Sequence, residues 1–123
     1  MTPKDSSLAQ KQSVSAKELM NVPLIASSRP IVQHYLSHWF QTDFDKLHIV
    51  AHYNLINNAS ILVKEGIGHV LTIENVNHNP HLAFVPFAPS LESGNVIVWK
   101  KHQVFSKATT RFLEMLKEKY GYK

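Results

Sequence analysis

The sequence predicts an α/β fold: a parallel or mixed sheet covered by helices on both sides. Two observations carry this. Short apolar runs rich in β-branched residues alternate along the chain with amphipathic segments of helical period. In addition, 123 residues at 44% hydrophobic content are enough to build one core. A charged fraction of 18%, with four glycines and six prolines, does not have the composition of a disordered chain.

Met1–Gln12 is polar and reads as either an ordered opening strand or a loose tail. Ser15-Ala16-Lys17-Glu18 is a capping box, in which the serine accepts from the amide three residues on and the glutamate reaches back. It opens a short helix that Pro23 closes. Leu24–Ala26 follows as a strand. The next helix spans Pro30–Phe40, with Pro30 tolerated in its first turn, and Val32, Leu36, Trp39 and Phe40 form its apolar face beside Tyr35.

After a polar loop over Gln41–Lys46, the run from Leu47 to Tyr53 predicts a strand centred on Leu47–Ala51. Asn54 is the expected N-cap of a helix over Leu55–Glu65, and Gly66 supplies its left-handed exit. A strand is expected over Gly68–Ile73 and a loop over Asn75–Pro80. Leu82–Phe87 belongs at a sheet edge or bend, because Pro86 interrupts a ladder. Val96–Trp99 reads as a strand. Ser106 then caps a helix over Lys107–Lys119, whose stripe of Ala108, Phe112, Met115, Leu116 and Tyr120 is expected to be buried, and Gly121 ends it.

The absence of cysteine excludes disulfides, thiolate nucleophiles and sulfur-ligated metal centres. Met1–Val14 carries Lys4, Asp5 and Lys11 and has no apolar core of a signal peptide, and no apolar stretch is long enough to span a bilayer. A cytoplasmic protein without a membrane partner is expected. The net charge of +4 and the lysines at 100, 101, 117, 119 and 123 offer a general attraction for phosphate. No zinc-finger spacing, RNA-binding run or DNA-reading helix pair accompanies them, and lysines also suit the negative end of a terminal helix.

In this order and separation, several segments carry a family pattern: Leu8-Ala9, Val22-Pro23-Leu24-Ile25, Leu62-Val63-Lys64-Glu65-Gly66-Ile67-Gly68, Val96-Ile97-Val98-Trp99-Lys100-Lys101, Ser106-Lys107-Ala108 and Phe112-Leu113. Together they resemble the effector-binding domain of LysR-type transcriptional regulators. The resemblance implies a mixed-sheet lobe like one half of a type 2 periplasmic-binding-protein-like effector domain, which in full has two lobes and a cleft between them. Residues 1–101 correspond to the second lobe with its opening and return segments, and 102–123 to the C-terminal helix region, which in the family packs on the first lobe. The winged helix-turn-helix and most of the first lobe are not in this sequence, so DNA would be reached only through a domain outside it. Where the family often ends the glycine junction in an aliphatic run and a proline, this chain has Gly68-His69-Val70-Leu71-Thr72-Ile73-Glu74.

Ser27, Ser28 and Arg29 fall at the strand-to-helix junction that the resemblance makes effector-facing. Hydroxyls and helix-start amides there suit a small polar or carboxylate effector, while the plainer reading is a helix cap from Ser28 and turn chemistry from Ser27. Asn54 and Asn57 open the next helix as a second wall, with capping and exposure as their plainer roles. Gly66 and Gly68 read as a structural turn, since they follow a helix and lack the longer dinucleotide-binding pattern. His34 and His38 share a helix face but have no third ligand at a recognisable spacing, and His48 and His52 would lie ~13 Å apart along a strand, so no metal is expected. Asp43 and Asp45 read as solvating groups, and no Gly-x-Ser-x-Gly or comparable arrangement activates a serine. No catalytic residue and no cofactor are therefore expected.

Two functions lead: effector sensing within a regulator, and a protein-interaction or dimerisation lobe without ligand binding of its own; a third, a small hydrolase, would require a concave pocket joining a serine, a histidine and a carboxylate. For the second, Tyr35, Trp39, Phe40, Phe112 and Leu116 are the expected interface residues of a homo-oligomer.

Overall fold

A computed structural model describes residues 1–73 and 79–121, which form two compact units, Met1–Glu92 and Ser93–Lys123. In the first unit, β2 (Leu24–Ser27) is the centre of a three-stranded parallel sheet. β3 (Ile49–Tyr53) pairs along one edge of it and β4 (His69–Val70) along the other. A second, two-stranded antiparallel sheet joins β1 (Thr2–Pro3) to β5 (Leu82–Ala83). The Met1–Val70 backbone bond of 2.9 Å ties this pair to β4. The opening residues are thus ordered, and Leu82–Ala83 takes the edge position anticipated for its run.

The alternation of β2 explains the layers. Leu24 and Ala26 face one core, shared with Leu36 and Phe40 of α2 (Pro30–Phe40) and with Leu19, Leu47 and Leu71. Ile25 faces the other, shared with Ala59 and Val63 of α3 (Ile56–Lys64) and with Val70 and Leu82. Side chains of successive strand residues point to opposite faces, so a strand apolar at every position needs a helix on each side. α2 links β2 to its neighbour β3, and α3 leads from β3 back across β2 to β4. Crossovers of one hand running in opposite directions place their helices on opposite faces.

The short helix α1 (Ala16–Leu19) carries the expected capping box. The Ser15 hydroxyl accepts from the Glu18 amide at 3.4 Å, and the Ser15 amide donates to the Glu18 carboxylate at 2.8 Å. Lys11 pairs with that carboxylate at 2.9 Å and, together with Ser15, holds Glu18 far below the usual carboxylate range, at about 2.

Several expectations are corrected. β3 begins two residues late, because Phe44–Lys46 forms a 3-10 turn that buries Leu47 as a core plug before the strand. β4 is two residues long where Gly68–Ile73 was expected; Leu71 makes one more bond, to the Ile25 carbonyl at 3.1 Å, before the chain leaves the sheet. Asn54 is not the cap of α3: Leu55 occupies that position without a side-chain bond, and Arg29 does the same for α2 in place of Ser28. The expected loop over Asn75–Pro80 lies largely outside the described residues.

In the second unit, α4 (Lys107–Tyr120) is capped by Ser106, whose hydroxyl accepts from the Thr109 amide at 3.2 Å. Two expectations fail here. Val96–Trp99 forms no strand and is exposed, with Val96 at 86% and Val98 at 84%, because β-propensity yields a strand only where a neighbouring backbone completes the ladder. The α4 stripe is not buried either: Phe112, Met115 and Tyr120 are exposed, as no layer within this unit covers them.

Gly66 and Gly68 act by different physics. Gly66 adopts φ +75° in open space, the left-handed exit after α3, whereas a Cβ at Gly68 would lie 2.7 Å from the Pro23 carbonyl oxygen, where β4 meets the start of β2. Gly66→Ala should cost about 1–2 kcal/mol, the left-handed penalty of a side chain. Gly68→Ala should cost more, since backbone must move, and chemical denaturation of the two variants would rank them.

Candidate functional site

The carboxyl ends of β2 and β3 form the rim that holds the sequence-expected residues. Ser27 lies beside Tyr53 in the parallel register, and the Ser28 amide donates to the Tyr53 carbonyl at 2.9 Å. Beyond that bond the chain diverges, from β2 into α2 on one face and from β3 into α3 on the other. Adjacent parallel strands whose connections leave to opposite faces open a crevice at their carboxyl ends, the usual ligand position in open α/β sheets.

The side chains on this rim differ in availability. Ser27 is buried at 6% exposure, and its hydroxyl accepts from the Arg29 amide at 3.2 Å, so it shapes the turn from beneath. Gln33, which the sequence reading missed, donates from Nε2 to the Ser27 carbonyl at 3.2 Å and so ties α2 to the last residue of β2. Ser28, Arg29, Asn54 and Asn57 are exposed. Asn57 sits in the first turn of α3, where its backbone carbonyl accepts from the buried Ser60 hydroxyl at 2.7 Å, and the residue is exposed. First-turn amides of a helix lack intrahelical acceptors and favour anions, although Pro30 removes one such donor from α2. The rim can therefore offer a guanidinium, a hydroxyl, two carboxamides and backbone amides to a small polar or anionic group.

Tyr53 also escaped the sequence reading, which treated it as strand. Its hydroxyl donates to the carbonyl of Leu71 at 2.9 Å, on the far side of β2. Burial holds the phenol above its ordinary range, against the opposing pull of Thr72 and the Arg29 charge, so it remains a donor at neutral pH. A phenol at the last strand position, directly before Asn54, was the available signal.

The rim is an open wall. A cavity of about 20 Å³, lined by Thr2, Leu8, His69, Val85 and Phe87 among others, shares no residue with it. That volume admits about one water and is far below the ~300 Å³ of a small-molecule site. Beside it, the Thr2 hydroxyl lies 2.8 Å from His69 Nδ1 and 2.7 Å from the Ser6 hydroxyl. Burial, and then the Met1 ammonium, lower the His69 pKa.

Of the expected interface residues, Tyr35 is exposed on α2, while Phe40 is in the core at 5% exposure. Trp39 stacks on Phe87 with centroids 4.4 Å apart and donates from its indole to the Pro89 carbonyl at 2.7 Å. On α4, Phe112 is exposed and Leu116 half-buried. His34, His38, His48 and His52 are exposed, Asp43 pairs with Lys46 at 2.8 Å, and among the described residues no three His, Asp or Glu side chains cluster as a metal site. No helix among them is long and apolar enough to cross a membrane.

A family described as the LysR substrate binding domain matches residues 1–121 of this chain. No curated protein and no solved structure matches it.

The two rim serines should separate on mutation. Ser27→Ala removes the acceptor for the Arg29 amide and should cost about 0.5–1.5 kcal/mol of stability in thermal unfolding. Ser28→Ala should stay within about 0.5 kcal/mol of wild type, as an exposed side chain does.

Proposed function

The chain belongs to the LysR substrate-binding domain family, and from that membership we propose that it senses a small polar or carboxylate effector within a LysR-type transcriptional regulator. The observation that supports this reading most is the divergence of α2 and α3 from adjacent strand ends, which brings Ser28, Arg29 and Asn54 to one rim. Arg29 and the first-turn amides supply attraction for a carboxylate. Ser28, Asn54 and Asn57 supply orienting hydrogen bonds, and Ser27 supports the turn that presents them.

The role is binding without chemistry. An effector acts by favouring one arrangement of the regulator over another, and only its differential affinity for the two shifts the balance. The rim is one wall, so this chain alone binds weakly. In this reading residues 1–101 act as the second lobe with its return segment and residues 102–123 as a separate helical region. DNA is reached through a helix-turn-helix elsewhere in the regulator, in the cytoplasm.

The exposed stripe of α4 and the uncovered Val96–Trp99 support a further part of the proposal, that the chain works as a homo-oligomer. Apolar side chains in such number do not stay wet at working concentration. Two-fold pairing is the commonest way to cover them.

Titration with small carboxylates should shift the amide resonances of Ser28, Arg29, Asn54 and Asn57; shifts confined to α4 would overturn the effector site. Light scattering over a concentration series should give twice the monomer mass. Tyr35→Glu combined with Phe112→Glu should restore the monomer, and a dimer that survives both changes does not use these surfaces.

A further inference from the structure

We propose that Tyr53 is a positioning residue for the effector rim, linking it through a hydrogen bond across β2 to the chain segment that leaves β4. This rests on the effector reading of the rim and adds to it a residue and a route by which occupancy is felt elsewhere in the lobe.

The geometry is a bridge over the central strand. The Tyr53 carbonyl accepts from Ser28 on the rim, while its hydroxyl donates to Leu71 on the other side of β2. Leu71 in turn donates its amide to the Ile25 carbonyl at 3.1 Å, the last backbone bond among the described residues between β2 and the segment following β4. Tyr53 thus joins the carboxyl ends of all three parallel strands. β4 is only two residues long, so the ladder alone fixes little beyond Val70. The phenol supplies the missing tie at the level where the rim begins. Tyr53 packs against the α3-side core of Ile25, Ala59, Val63, Val70 and Leu82, which limits the reach of its hydroxyl.

This arrangement converts a small shift into a signal. A ligand that draws Ser28 or Asn54 toward itself moves the ends of β2 and β3, and with them the anchor of Leu71. Packed interfaces respond to such shifts by changing partners instead of stretching. Leu71 and Thr72 then sit in a different environment with the ligand bound, although neither touches it.

The test uses the isotope-labelled 123-residue chain with sodium acetate as the carboxylate probe, comparing wild type with Tyr53→Phe. In the wild type, acetate should shift the amides of Ser28, Arg29 and Asn54 and also those of Leu71 and Thr72. In Tyr53→Phe the shifts at Ser28 and Arg29 should persist while those at Leu71 and Thr72 vanish. Without acetate, amide exchange at Leu71 should quicken about fivefold to tenfold in the variant, the loss of one hydrogen bond, with Leu36 and Val63 unchanged. Rim shifts that never reach Leu71 and Thr72 in the wild type, or that reach them equally in Tyr53→Phe, overturn the role of Tyr53 alone. An acetate titration that leaves the wild-type rim unmoved overturns the effector reading, and this role with it.

Discussion

The burial of β2 on both faces and along both edges is the constraint from which the first unit follows. Leu24, Ile25 and Ala26 have no exposed surface, and Ser27 has almost none. Every backbone group in such a strand needs a neighbour, and every side chain needs a layer above or below it. The two edges are met by β3 and β4, and the two faces by α2 and α3. Because these helices must lie on opposite faces, the loops entering them part at the strand ends, and that parting creates the rim. The candidate site is thus a consequence of how the core is closed.

The rim residues divide into those that build it and those that it presents. Ser27, Gln33 and Tyr53 spend their polar groups on backbone partners and hold the turn, the end of β2 and the exit from β4. Ser28, Arg29, Asn54 and Asn57 stay at the surface. A recognition surface needs both kinds, since exposed groups discriminate between ligands only when their backbone is held in place.

The second unit obeys a different balance. α4 forms from local signals alone: a serine cap, good helix formers and the Arg111 pairs with Glu114 at 3.3 Å and Glu118 at 3.6 Å. Such signals set a helix's limits but cover none of its apolar face. Val96–Trp99 has strand-forming side chains but no ladder, for the same lack of a partner within its unit.

By itself the sequence determined whatever depends on neighbours a few residues away. The limits of α2, the capping box at Ser15, the left-handed Gly66 and the serine cap of α4 rest on local hydrogen bonds and dihedral preferences, which the order of residues states directly. It also brought Ser28 and Asn54 forward as candidates, through the resemblance that makes these junctions effector-facing. Only the tertiary structure decided which apolar runs became strands, because pairing requires a partner that no local pattern names: Leu82–Ala83 found Thr2–Pro3, and Val96–Trp99 found none. It alone turned Ser27 inward and brought the Tyr53 hydroxyl to Leu71 across an intervening strand, because contacts 18 residues apart are set by register and layer, not by spacing in the chain.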